Sequence, residues 1–228
     1  MYFRAMVYAV IVAGGKGLRM GGEVPKQFLP LAGEAVLLHT VRRFFEAIPG
    51  IHVRVVLPAD ALETAHAILA PLHRNAPELV LLAGGETRFD SVKNGLLAID
   101  GDAWVMVHDG VRPIVPASFL QFCLLEAQRI GSAIPVVPVK DSMRWMTDEK
   151  STVLDRSRIM AVQTPQVFQL NKLKKAFEQP YQASFTDEAT VYEAYGEQVH
   201  LVAGLYENVK ITTPEDLFLA EYRLKNGG

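Results

Sequence analysis

The 228-residue chain has one cysteine, Cys123, and two tryptophans. A lone thiol cannot close an internal disulfide, and no Cys/His spacing suggests structural zinc, so neither device holds the fold together. Cys123 lies inside FLQFCLLEAQRI and reads as a small buried hydrophobe on a helix. Long hydrophobic runs are missing too. The first apolar stretch, AMVYAVIVA from Ala5 to Ala13, is too short to span a bilayer. It lacks a basic n-region and leads into a glycine loop, so it reads as a buried strand and not as a signal peptide. The expected location is the cytoplasm. A strong charge of either sign is absent: 23 Lys and Arg stand against 25 Asp and Glu, a formal net charge of -2. No global basic field draws the chain to nucleic acid or to an anionic membrane. Any anion site must be a local cluster of cations. His39, His52, His66, His73, His108 and His200 are scattered without metal-ligand spacing, and no Ser/His/Asp grouping marks a covalent nucleophile.

What is present is alternation. Strand-like apolar runs at Val7–Val12, Val53–Leu57, Leu79–Ala83, Trp104–His108 and Ser132–Val139 are separated by helix-like segments near Val36–Ala47, Asp60–Leu72, Thr87–Ile99 and Ala117–Arg129. Nearly continuous apolar strands are expected where helices cover both faces of a mainly parallel sheet. The fold class is therefore α/β, with a single doubly wound sheet in one domain over residues 1–228. Ligands of such sheets bind beyond the carboxyl ends of the strands. The pattern breaks at residues 140–160, KDSMRWMTDEKSTVLDRSRIM, which read as a protruding hairpin of strands Met143–Met146 and Thr152–Leu154. Its Met143, Trp145 and Met146 need cover, and a second subunit is the expected cover. Further on, Thr186 is expected to cap a helix in FTDEATVYEAYG. NVKITTPEDLFLAEYRL reads as a strand followed by a helix, with Thr213, Pro214 and Asp216 forming its start.

The loop VAGGKGLRMGGEVPKQF, residues 12–28, follows the first strand. Its Gly15-x-Gly17 lacks the third glycine of a dinucleotide fingerprint, and Glu23 stands where a Walker A loop needs lysine. Hydride chemistry and the P-loop are set aside. What remains is a glycine-rich turn whose backbone N–H groups can approach a phosphate, with Lys16, Arg19 and Lys26 within eleven positions. Three cations on one polyphosphate suit phosphoryl or nucleotidyl transfer, where positioning and electrostatics dominate.

Other strand-terminal loops repeat the theme. AGGETRFDS brings Gly84 and Gly85 ahead of Arg88, Asp90 and Ser91, and the glycines permit close approach of a base or sugar. VHDGVRP places Asp109 and Arg112 just past a buried strand. Asp109 suits ribose hydroxyls or water-held Mg²⁺, Arg112 a phosphate; the plainer alternative is an Asp–Arg ion pair. QTPQVF offers Thr164, and Lys210 alternates with Val209 and Ile211 on the expected strand NVKIT.

In this order, AGGKGLRMGGEVPKQF, GGETRFDSV, VHDGVRP, VKDS, DRSRIMAVQTPQVF, FTDEAT and NVKITTPEDL resemble the 2-C-methyl-D-erythritol 4-phosphate cytidylyltransferase family, from about Val7 to the end. The resemblance implies a Rossmann-like nucleotidyltransferase fold that joins CTP to 2-C-methyl-D-erythritol 4-phosphate with release of pyrophosphate. It implies Mg²⁺ held mainly by the triphosphate and no protein metal site. It also implies a homodimer whose arm reaches into the partner's site. Carried over by motif, Arg19 and Lys26 match the pair that stabilises the α-phosphate under attack. Ala13, Gly14, Gly15, Lys26, Gly84, Gly85, Ser91 and Asp109 match CTP-binding positions. Asp109, Arg112, Ser142, Arg156, Thr186 and Lys210 match acceptor-binding positions, with Arg156 and Lys210 placing the acceptor phosphate and Ser142 and Arg156 coming from the partner. Three positions depart from the pattern. Ser142 stands where threonine is common and keeps the hydroxyl. Gly110 replaces a frequent alanine, which is expected to loosen the loop beside Asp109. Gly14 gives AGGKG, a form shared with the similar ribitol-5-phosphate cytidylyltransferases, the alternative reading.

Overall fold

Continuous apolar strands need cover on both faces, and the fold supplies it. The computed structural model describes residues 5–15, 24–73 and 78–226. In chain order these hold β1 (Met6–Val12), β2 (Pro30–Leu31), β3 (Glu34–Ala35), α1 (Val36–Ala47), β4 (His52–Leu57), α2 (Leu62–His73) and β5 (Leu79–Ala83). Next come α3 (Arg88–Leu97), β6 (Ala103–Asp109), α4 (Ala117–Ile130), β7 (Ser132–Pro138), β8 (Met143–Met146) and β9 (Ser151–Leu154). The chain continues with β10 (Met160–Val162), β11 (Gln166–Gln169), α5 (Leu170–Ala176), α6 (Glu188–Ala194), β12 (Leu201–Ala203) and α7 (Pro214–Lys225). Among the described residues no helix is long and apolar enough to cross a membrane.

Strands β5, β4, β1 and β6 lie side by side and parallel. Antiparallel β11 joins β6 to β7, and β12 runs parallel along β7. The chain steps outward from β1 to β4 and β5, then crosses back to lay β6 on the other side of β1. That reversal opens a crevice at the carboxyl ends of β1 and β6. Alternate residues of β1 face opposite cores. Ala9 and Ile11 pack with Phe44, Leu69, Leu120 and Cys123 beneath α1, α2 and α4. Tyr8 and Val10 pack with Phe89, Leu96, Leu173 and Tyr192 beneath α3, α5 and α6. A third, smaller cluster of Leu31, Val36, Val111, Ile114, Ile211 and Ala220 fastens α7 and the loop after β6.

Strands β10 and β11 share one edge of β7 but not one register. Val162 faces Val136, whereas Val167 faces Ala133. The two extra residues are Thr164 and Pro165, which form a bulge with a cis peptide bond. Strands β8 and β9 pair with each other as a separate hairpin, with Trp145, Met146 and Val153 exposed.

Two expectations change. Asp187, not Thr186, caps α6: its carboxylate accepts the Thr190 N–H at 2.9 Å, while Thr190 Oγ1 accepts the Asp187 N–H. Thr186 sits one residue too early for that reach and donates its own N–H to Thr190 Oγ1. Residues 208–212 are not a strand. They cross the end of β6, with Ile211 N–H bonded to Val111 O at 2.9 Å. Their alternation arises because Ile211 enters the third cluster while Lys210 faces Asp109. The cap at Thr213, Pro214 and Asp216 is as expected.

Helix α3 lies close to the sheet because Gly95 has no side chain. A Cβ there would come within 2.6 Å of Val10 Cγ1 and 3.1 Å of Val56 Cγ2. Gly95→Ala is therefore expected to lower stability by about 1–2 kcal/mol, overpacking outweighing the gain in helix propensity. The urea midpoint should fall with an unchanged slope, and a raised midpoint would refute the close-packing argument.

Candidate active site

The crevice holds a cavity of about 450 Å³. Of the residues singled out in the sequence, Ala13, Gly14, Gly15, Lys26, Gly85, Arg88, Ser91, Asp109 and Lys210 line it. Lys16 and Arg19 fall in 16–23, outside the described residues. The turn at residues 26–28 is anchored by Gln27 Nε2, which donates to Ala13 O at 2.8 Å, and Lys26 runs alongside Gly15. On the opposite wall, Gly85 N–H donates to Ser91 Oγ, whose own O–H donates to Thr87 O. Thr87 and Asp90 form a capping box that fixes the start of α3. A Cβ on Gly84 would lie 2.7 Å from Ser91 Oγ, and one on Gly85 would lie 2.3 Å from Asp90 Cβ. Packing of the turn on α3 therefore already demands both glycines.

Asp109 ends β6 at the floor of the cavity, and three cations meet its carboxylate. Lys210 Nζ is 3.0 Å and Arg112 Nε 3.2 Å from Oδ2, and Arg88 Nη2 is 3.4 Å from Oδ1. Burial alone would raise the Asp109 carboxyl. Arg88, Lys210 and Arg112 override it and hold the group well below the ordinary carboxylate range. Arg88 is itself gripped by the buried Glu188, Nη1 to Oε1 and Nη2 to Oε2. Burial opposes the charge on Arg88, but Glu188 and Asp109 outweigh it and keep the guanidinium protonated. The cavity thus has a glycine-lined wall and a floor where cations outnumber carboxylates. Such a site binds a polyanion by arranged charge, and among the described residues there is no nucleophile–base pair in it.

A profile of the 2-C-methyl-D-erythritol 4-phosphate cytidylyltransferases matches residues 7–226. The chain belongs to that family. The 2-C-methyl-D-erythritol 4-phosphate cytidylyltransferase of Phocaeicola vulgatus is 46% identical over 221 residues, covering 94% of this chain and 97% of its own. The Francisella tularensis cytidylyltransferase structure superposes with a TM-score of 0.79 at 31% identity, covering 96% of this chain and all of that one. The 4-diphosphocytidyl-2C-methyl-D-erythritol synthase structure from Anaerococcus prevotii gives a TM-score of 0.81 at 26% identity, over 97% of this chain and 96% of that one.

The remaining residues expected of a cytidylyltransferase lie apart from the cavity wall. Gly84 sits beneath Ser91. Arg112 is buried behind Asp109, its Nη1 donating to Asn208 O at 2.7 Å. Thr186 is exposed just before α6. Ser142 and Arg156 are exposed at the base of the hairpin, where Arg156 Nη1 donates to Lys140 O. Gly110 does not loosen the loop. Its N–H donates to Val12 O, its carbonyl accepts from Thr40 Oγ1, and a Cβ would lie 2.8 Å from that of Ala13. The close approach of β1 and β6 imposes the glycine.

Sequence reasoning missed the Arg88–Glu188 pair and the role of His108. FTDEAT shows Glu188 only as an acidic residue near a helix start, and its partner 100 positions away leaves no mark there. His108 is fully buried between α1 and the bulge, edge-on to Phe44 at 5.0 Å between ring centroids. Its Nε2 lies 3.2 Å from Arg112 O, a carbonyl that can only accept, so Nε2 carries the proton. Its Nδ1 then accepts from Thr164 Oγ1 at 3.0 Å, and Thr164 Oγ1 accepts the Asp109 N–H at 3.1 Å. Neutral histidine thus orients the threonine that holds the Asp109 backbone.

Burial pushes His108 down to about 4 from the ordinary 6.5. Between these values the unfolded chain binds a proton that the folded chain refuses, so stability rises with pH. The stabilisation is complete above 6.5 and is lost as pH falls towards 4, about 3 kcal/mol in all. In His108→Gln the urea-unfolding stability should lose this rise between pH 4.5 and 6.5. An equal rise in both proteins would contradict the neutral, buried state.

Proposed function

We propose that the chain transfers the cytidylyl group of CTP to 2-C-methyl-D-erythritol 4-phosphate, giving 4-diphosphocytidyl-2-C-methyl-D-erythritol and pyrophosphate. The observation that carries this reading is the ring of cations around Asp109, set against a glycine wall in the crevice of a chain of this family. An oxygen of the acceptor phosphate attacks the α-phosphorus of CTP. A new P–O bond forms, the bond to the β-phosphate breaks, and pyrophosphate leaves with its electron pair. The nucleophile is already anionic and needs no base. The barrier is to bring two polyanions together in line, so neutralisation and alignment are the catalytic work.

In this reading Ala13, Gly14, Gly15, Gly84, Gly85 and Ser91 hold CTP, and Arg19 and Lys26 bear on the α-phosphate. Asp109 stands between nucleotide and acceptor, and Arg112 braces it from behind. Lys210 and the partner's arm place the acceptor phosphate, the arm through its Arg156, while Thr186 and the Ser142 hydroxyl bind the acceptor. Exchange of arms in a homodimer is supported by the exposure of Ser142, Arg156 and Trp145, the last at 63%. Mg²⁺ suits the donor set as an ion carried on the triphosphate, where it supplies further neutralisation. Among the described residues no three His, Cys, Asp or Glu side chains group as a metal site, and Asp109 is already engaged by cations. Both substrates are multiply charged and CTP is cytoplasmic, so the reaction is assigned to the cytoplasm.

The rival acceptor is ribitol 5-phosphate, raised by AGGKG. A Cβ on Gly14 would meet Ser91 Oγ at 4.0 Å, an ordinary contact, so packing alone admits either glycine or alanine there. Pyrophosphate release from CTP should require 2-C-methyl-D-erythritol 4-phosphate. Turnover with ribitol 5-phosphate alone would overturn the assignment. Arg19→Ala and Lys26→Ala should each lower kcat by about 10²–10³, about 3 kcal/mol of transition-state stabilisation, and undiminished turnover would exclude the electrostatic mechanism. The wild-type mass from light scattering should be that of a dimer. Trp145→Asp with Val153→Asp should shift it towards monomer and lower kcat together, whereas a fully active monomer would rule out arm exchange.

A further inference from the structure

One buried carboxylate has no task in that mechanism. Glu188, the first residue of α6, is 0% exposed. Helix capping does not need it, because Asp187 and Thr190 do that work. Nor does Asp187 compete for its partner: the Asp187 carboxylate accepts from Thr190 N–H and from Gln166 Nε2 at 2.9 Å. Glu188 instead takes both terminal nitrogens of Arg88, at the first position of α3. A latch between two helices would be a poor use of this pair, since well-packed apolar side chains of similar size do as well or better. What an ion pair adds is direction.

The direction matters because Arg88 lines the cavity and faces Asp109. The distances around Asp109 are unequal. Oδ2 meets Lys210 at 3.0 Å and Arg112 at 3.2 Å, while Arg88 stands off Oδ1 at 3.4 Å. A guanidinium with no other anion beside it closes on a carboxylate at about 2.7–2.9 Å with both prongs. Glu188 occupies those prongs and holds Arg88 back.

We propose that Glu188 is a positioning residue for the transfer: by fixing Arg88 it keeps Asp109 turned to Lys210, and so sets where the Lys210 ammonium stands in the cavity. The proposal rests on the cytidylyl-transfer reading, in which Lys210 places the acceptor phosphate. Without the charge on Glu188, Arg88 closes on Asp109, the carboxylate turns, and Lys210 loses its anchor. The damage falls first on the acceptor, whose phosphate Lys210 places; the glycine wall of β1 and the turn before α3 keeps its hold on CTP, and only the Asp109 contact is shared by both substrates.

The test is steady-state kinetics of the full chain with CTP and 2-C-methyl-D-erythritol 4-phosphate, each rate normalised to folded protein. Glu188→Gln should lower kcat/KM for the acceptor by about 10–100-fold and leave KM for CTP within about threefold. Placed on Lys210→Ala, the same substitution should cost less than about twofold, because both act through one anchor. Arg88→Lys, which keeps a cation but removes the fork, should give the same acceptor-selective loss, and Glu188→Asp should recover part of it. A merely structural Glu188 would lower the folded fraction, leave both KM values unchanged and multiply with Lys210→Ala, which would overturn the proposal. Wild-type acceptor kinetics in both Glu188→Gln and Arg88→Lys would also overturn it while leaving the function intact. No turnover by the wild-type protein with this acceptor would overturn the functional reading, and the proposal with it.

Discussion

The structure is organised around the solvation of one carboxylate. Asp109 ends a strand inside a mixed, mainly parallel sheet, where water is scarce, and a lone buried charge there would cost several kcal/mol. Three cations replace the water, and each comes from a different part of the chain. Arg112 is three residues away in the same loop, Arg88 begins a helix on the far face, and Lys210 arrives a hundred residues later. The requirement to bring them together explains features that otherwise look unrelated. Gly110 lets β1 and β6 approach, the third apolar cluster fastens residues 209–211 across the end of β6, and Glu188 controls the approach of Arg88.

The same constraint joins fold to chemistry. The cations that satisfy this buried aspartate carry more positive charge than it neutralises, even with Glu188 counted. The surplus faces a cavity walled by glycines, so an incoming polyanion meets charge that is already arranged. Little reorganisation is left for the reaction itself, which is how electrostatic preorganisation lowers a barrier. Stability and function therefore draw on one set of contacts.

Much of this was legible in the chain. Strands β1, β4, β5, β6 and β7 and helices α1 to α4 announce themselves because each is long enough to show a period and rich enough in apolar residues to demand cover. Strands β10, β11 and β12 span three or four residues each, too few to show any period, and β11 hides beside a proline. Residues 208–212 alternated like a strand for a reason unrelated to pairing, namely one residue in a core and its neighbour at a charge. Glycines were read as access for ligand at Gly84 and Gly85, where packing against Ser91 and Asp90 dictates them first. Asp109 could be found because a polar residue at the end of a buried strand is informative by position, Lys26 because it lies in a glycine-rich loop after such a strand, and Lys210 because it alternates with apolar neighbours. The Arg88–Glu188 pair could not, since a contact between residues 100 positions apart leaves no local trace.

The bulge at Thr164 and Pro165 has a further property, which is arithmetic. Side chains along a strand alternate between faces, so inserting an odd number of residues inverts everything downstream. This insertion is even. Val167 and Phe168 keep the sides they would have had in an unbroken strand, and each reaches a different core, Val167 with Met106 and Phe168 with Tyr192. Parity conservation lets the chain lift one hydroxyl out of the ladder, towards His108 and the Asp109 backbone, without disturbing the burial of the strand that carries it.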